Sequence, residues 1–102
     1  AEDQGVAPAP ALAGTLRAYP NPFNPEVEIV FELANADEVS VSVYDIRGRL
    51  VRSLASARLA GGEHRWSWDG RGDDGRKVPS GLYIARVVVG ATSSAIRITL
   101  VQ

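Results

Sequence analysis

The side chains able to do chemistry gather in one short stretch of this 102-residue chain. Asp69, Asp73 and Asp74 put three carboxylates within six residues, enough oxygens to approach a calcium ion. Their spacing is not the Asp-x-Asp-x-Asp-Gly of a known calcium loop. Asp69-Gly70 and Asp74-Gly75 are turn dipeptides, so these carboxylates are expected to accept hydrogen bonds from nearby backbone amides. Arg71-Gly72-Asp73 spells an integrin-type tripeptide, but so short a motif matches by chance and is taken as coincidence. His64 is the only histidine. Nucleophilic catalysis would need it beside a nucleophile and an orienting carboxylate, and Ser67 and Ser80 qualify only by being serines. Trp66 and Trp68 could offer a sugar-stacking platform on an exposed sheet face, although aromatics on a strand more often belong to a core. No paired-carboxylate, metal-ligand or nucleophile constellation is left, so no enzyme is expected and no cofactor or metal is implied.

Two strands must position that stretch. His64-Arg65-Trp66-Ser67-Trp68 alternates large and polar side chains, the pattern of a strand with one buried face. Leu82-Tyr83-Ile84-Ala85-Arg86-Val87-Val88-Val89 is rich in β-branched residues and reads as a second strand, more fully buried. Pro79-Ser80-Gly81 stops one element and starts the next. Upstream, Thr15 to Tyr19 forms a short first strand. Tyr19-Pro20-Asn21-Pro22-Phe23-Asn24-Pro25 holds three prolines in six residues, which forbids a helix or a central strand. It reads as a rigid corner, with Phe23 plugging the edge of the core and Asn21 and Asn24 bonding to their own backbone.

The remaining segments alternate as well. Val27, Ile29, Phe31 and Leu33 face one way, and Glu26, Glu28 and Glu32 the other, as in a half-solvated antiparallel strand. Val39, Val41 and Val43 point inward from the next strand. Asp45-Ile46-Arg47-Gly48-Arg49 is a hairpin turn with Gly48 at the positive-φ site. Leu50 to Leu54 is the returning strand, and residues 55–61 read as a loop or a short helical turn. Gly90 to Ser94 makes the last turn, and Ile96, Ile98 and Leu100 form the inner face of the last strand. About seven short strands without helical period imply an all-β, antiparallel sandwich.

Residues 1–14 (AEDQGVAPAPALAG) have no period and read as an extended N-terminal arm or linker; residues 15–102 form the sandwich. A domain of this length buries roughly two-thirds of its unfolded surface, enough for a core without metals or cross-links. A hydrophobic content of 45% argues against disorder away from the ends. The net charge of −1 and the scattered arginines argue against nucleic acid as a partner. No apolar run approaches the ~20 residues of a membrane span. With no cysteine there is no disulfide, which leaves the compartment open. A chain that starts Ala1-Glu2-Asp3 and holds no methionine is expected to be either a mature form after leader cleavage or a piece of a longer protein.

In order along the chain stand Tyr19, Pro20, Asn21, Pro22 and Phe23 of the corner, then Val43-Tyr44-Asp45-Ile46-Arg47-Gly48-Arg49, Gly62-Glu63-His64, Trp68-Asp69-Gly70-Arg71, Gly75-Arg76 and Pro79-Ser80-Gly81-Leu82-Tyr83. This series resembles the Ig-like domain shared by flagellar hook-capping proteins and C-terminal type IX secretion sorting domains, over about four-fifths of the chain. The resemblance implies an Ig-like β-sandwich appended to exported bacterial proteins, extracellular or at the cell surface, without catalysis. It makes Trp68 a core residue and export machinery a partner. Sorting members end in a basic strand, often with a terminal lysine; here Arg97 is the one cation after Arg86.

Three functions emerge as expectations. The first is a non-catalytic extracellular Ig-like module for sorting, attachment or assembly. The second is a subunit of an extracellular filament that polymerises by donating its N-terminal arm as a β-strand to an open sheet edge of an identical subunit. The third is a carbohydrate-binding accessory module.

Overall fold

Val27, Ile29 and Phe31 are fully buried at alternate positions, and that alternation sets the register of the first long strand. In the computed structural model, which describes residues 12–102, each period-2 run becomes a strand. The strands are β1 (Arg17–Tyr19), β2 (Val27–Leu33), β3 (Asp37–Asp45), β4 (Leu50–Leu59), β5 (Gly62–Trp68), β6 (Gly81–Val89) and β7 (Thr92–Leu100). They form two antiparallel sheets, β1-β2-β5 and β4-β3-β6-β7. No helix among the described residues is long and apolar enough to cross a membrane. Residues 1–11 of the expected arm lie outside the described residues; Leu12 bridges Leu33 and the Ala13 amide donates to the Glu32 carbonyl, 2.8 Å away.

The inner faces of the two sheets share one core with two centres. One holds Phe23, Val27, Ile29, Val43, Trp68, Tyr83, Ile98 and Leu100. The other holds Phe31, Leu33, Val39, Val41, Val87 and Val89. At the first centre the Trp68 ring lies between Phe23 and Tyr83, with centroids 5.6 and 5.3 Å away and both neighbours inclined to it. Such inclined contacts add to the burial of the rings themselves.

Two local readings need correction. Residues 55–59 are neither loop nor helical turn, because β4 continues to Leu59. Ala55, Ser56 and Ala57 carry little strand preference, yet Ala55, Ser56, Ala57, Arg58 and Leu59 pair in turn with Val41, Ser40, Val39, Glu38 and Asp37. The ladder of β3 overrides local propensity here. β6 is not buried on both faces: Tyr83, Ala85, Val87 and Val89 are buried, whereas Leu82 and Arg86 are exposed. Val30, on the glutamate side of β2, is fully buried. Its neighbours across the two ladders are Arg17 and Arg65, whose aliphatic stems shield apolar surface while their heads stay in water.

Candidate functional site

The loop between β5 and β6 is shaped by its turn residues. Gly70 has φ +76°, a left-handed conformation that glycine adopts without strain. Gly75 accepts a second left-handed turn. Between them Gly72 donates to the Arg76 carbonyl and Gly75 to the Gly72 carbonyl, closing a small hairpin. Trp68 Nε1 donates to the Arg71 carbonyl at 2.8 Å, so the core ring holds the loop from beneath.

This geometry disperses the three carboxylates. Asp69 accepts from the Arg71 amide, Asp73 from the Ser53 amide and Asp74 from the Arg76 amide, at 2.9–3.1 Å. Asp69 also stands 3.8 Å from the Arg71 guanidinium. No group of three or more acidic, histidine or cysteine side chains converges among the described residues. Arg71-Gly72-Asp73 is folded against β4: the Asp73 amide donates to the Val51 carbonyl and Gly72 is buried.

His64 Nε2 sits 2.7 Å from the Ala60 carbonyl, so that nitrogen carries the proton. Ser80 Oγ accepts from the Gln102 amide, and Ser67 lies on the opposite face of β5. Neither serine is brought to the histidine. The Trp66 ring is half-buried and stacked on Phe31 at 5.6 Å with 12° between planes, while Trp68 is enclosed, so the two rings share no exposed platform.

The signature residues serve the frame. Tyr83 Oη donates to the Pro79 carbonyl at 2.6 Å, the contact by which a corner tyrosine ties a sandwich strand to the segment before it. Burial, and then the Asp45 charge, push its hydroxyl above the usual tyrosine range. Asp45 accepts from the Arg49 and Arg47 amides and from Arg49 Nε, and the Arg49 amide above all holds its carboxyl below the usual range. Gly48 turns the same hairpin with φ +84°. Tyr44 lies on the outer face of the larger sheet between Leu50 and Ile84. Gly81 opens β6. Tyr19 is 42% exposed. The three X-Pro bonds of the corner, after Tyr19, Asn21 and Asn24, are cis.

Asn21 does something the sequence did not reveal. Its side-chain amide donates to the Arg97 carbonyl and accepts from the Thr99 amide, both at 3.0 Å. Two residues on, Phe23 donates to the Thr99 carbonyl and accepts from the Val101 amide, both at 2.9 Å. The corner thus acts as a short parallel strand on the free side of β7. The two-residue repeat of a strand sends the backbone groups of Ser93 and Ala95, and the Arg97 amide, to that same side. Among the described residues no partner strand lies along them. Beside them runs a groove of about 470 Å³, lined by Leu12, Gly14, Thr15 and Leu16 on one wall and by Thr92, Ser94, Ala95 and Ile96 on the other. A nine-residue last strand with a single charge and no proline was the sequence signal for this open edge.

Comparisons with known proteins fit this frame. In Salmonella typhimurium the basal-body rod modification protein FlgD is 44% identical over 48 residues, 47% of this chain and 21% of that protein. The chain therefore spans about a fifth of the length of that relative. Dimeric latent PorU from Porphyromonas gingivalis superposes with a TM-score of 0.74 at 28% identity, over 95% of this chain and 10% of its own. PorZ, a surface component of the type IX secretion system of the same organism, gives 0.57 at 31% identity, over 85% of this chain and 11% of its own. Residues 21–94, from the corner to the last hairpin, match the profile of the FlgD Ig-like domain. The chain belongs to the FlgD Ig-like domain family.

Proposed function

We propose that this chain is a non-catalytic, extracellular module for sorting, attachment or assembly of an exported bacterial protein, working through protein partners: the export machinery or identical subunits. The observation that carries the reading is the likeness to PorU along nearly the whole chain, together with that to PorZ. The loop chemistry agrees with it, since the Asp69 and Asp74 carboxylates are engaged in holding turns. The test is a fusion of this chain behind a folded reporter in a bacterium with a type IX system. Surface display of the reporter is expected. Retention at the level of the unfused reporter would overturn export as the role.

A second reading, a filament subunit joined by donation of the N-terminal arm, is favoured by one observation: the half of β7 that has no partner strand among the described residues. The salt bridges of Arg65 with Glu28 and Glu63 blunt the β5 edge, two register shifts interrupt β4, and β1 has three residues. Charges, bulges and shortness are how sheets discourage edge pairing. The β6–β7 ladder instead runs without a break for nine pairs.

A further inference from the structure

We propose that the open half of the β7 edge, Ser93–Arg97, is a strand-acceptor site, and that it takes residues 7–11 of a second copy of this chain. This deepens the filament reading and rests on it.

The acceptor is defined by the groups the corner leaves uncovered. Asn21 and Phe23 occupy the outward groups from the Arg97 carbonyl to the Val101 amide. Among the described residues, the N–H and C=O of Ser93 and Ala95 and the N–H of Arg97 are left without a partner, next to an apolar groove. A single short strand would use all of them.

The occupant is argued from the sequence Ala7-Pro8-Ala9-Pro10-Ala11. In a strand, alternate residues direct their backbone groups to one side. Proline lacks an N–H and is therefore tolerated where that side faces solvent. With prolines at 8 and 10, the three alanines can present intact amides and carbonyls to β7. Pairing Ala9 antiparallel with Ala95 sets Ala7 against Arg97 and Ala11 against Ser93. Residues directly opposite share a sheet face. Ser94 and Ile96 are the residues of this stretch that turn inward, so Pro10 and Pro8 would cover them and fill the groove beside Leu16. The missing amides would leave the outer side of the added strand unable to extend the sheet.

The same copy is badly placed to supply it. Leu12 is paired to Leu33 and lines the groove with Thr92. From there to Phe23 the chain runs in the direction of β7, since Phe23 meets Leu100 in parallel. An antiparallel partner for Ala95 therefore runs opposite to the described stretch that walls the groove.

The experiment uses the full chain at rising concentration, with light scattering for mass and amide hydrogen exchange for the edge. Association is expected, together with protection of the Ser93, Ala95 and Arg97 amides that grows with concentration. Ala95→Pro removes only an outward donor and leaves the β6 ladder its bonds. Ala9→Pro removes the matching donor of the segment and lies outside the described fold, so it tests the pairing even if Ala95→Pro fails to fold. Each should weaken association roughly tenfold or more. Association unchanged in Ala9→Pro, and in a folded Ala95→Pro, would overturn this proposal and leave assembly through another surface. Protection equal at every concentration would mean the edge is filled within one chain and would overturn the second-copy occupant. A monomer throughout would overturn the acceptor site and the filament reading together, while export is decided separately by the fusion.

Discussion

Trp68 joins core and loop through a single side chain. Its ring packs between Phe23 and Tyr83, and its indole N–H holds the Arg71 carbonyl. Trp68→Ala should cost about 3–5 kcal/mol, read as an earlier midpoint in denaturant unfolding. Asn21 is the subtler case. Asn21→Ala removes both bonds to β7 and should cost on the order of 1 kcal/mol. Asn21→Asp should be worse than Asn21→Ala, because a carboxylate keeps the acceptor for Thr99 but turns a bare oxygen toward the Arg97 carbonyl. Equal unfolding midpoints for Asn21→Ala and the unaltered chain would refute the strand-mimic role. Trp68 was legible as a core residue from its place in the corner-to-loop motif series. Asn21 was read as bonding to its own backbone; a partner 78 residues away leaves no local trace in sequence.

At the scale of elements, alternation located the strands because each sheet has one wet face and one dry face. It failed where another rule governs. β4 beyond Leu54 is held by the β3 ladder rather than by the strand preference of its own residues. Val30 is sheltered between two arginines across the ladders, and no period within β2 marks that. The 69–80 loop was legible as turn chemistry because Asp-Gly pairs impose it. Since its three carboxylates each serve a separate amide, calcium should not stabilise the chain. A site filled to a hundred times its dissociation constant would add about 2.7 kcal/mol, so calcium and a chelator should give the same thermal midpoint.

For the whole molecule, two groups contribute a pH dependence to stability whose sign follows from the direction of their shifts. Asp45 titrates below the usual carboxylate value because the folded hairpin directs amides at its charged form. Its contribution is therefore present above about pH 3.9 and lost as pH falls through the lower folded value. Tyr83 titrates above the usual tyrosine value because burial disfavours the phenolate. Its contribution is present below about pH 10 and lost as pH rises through the higher folded value. Denaturant midpoints across pH should fall at both ends. Asp45→Asn should flatten the acid limb and Tyr83→Phe the alkaline one; a limb that persists in its own variant belongs to other groups.

The corner's grip on β7 has a mechanical consequence. The stretch from Leu12 to Phe23 and the last strand run side by side in the same direction, and hydrogen bonds exchanged between Asn21 and Phe23 on one side and Arg97, Thr99 and Val101 on the other fasten them together. Tension applied at Leu12 and at Val101, pulling the two apart along the strands, would slide these segments past each other rather than peel them away. In sliding, the bonds share the load and yield together; in peeling they would fail one at a time. The domain is built as a lap joint, and a module strung between an anchor and a cargo can bear a pull through such a joint.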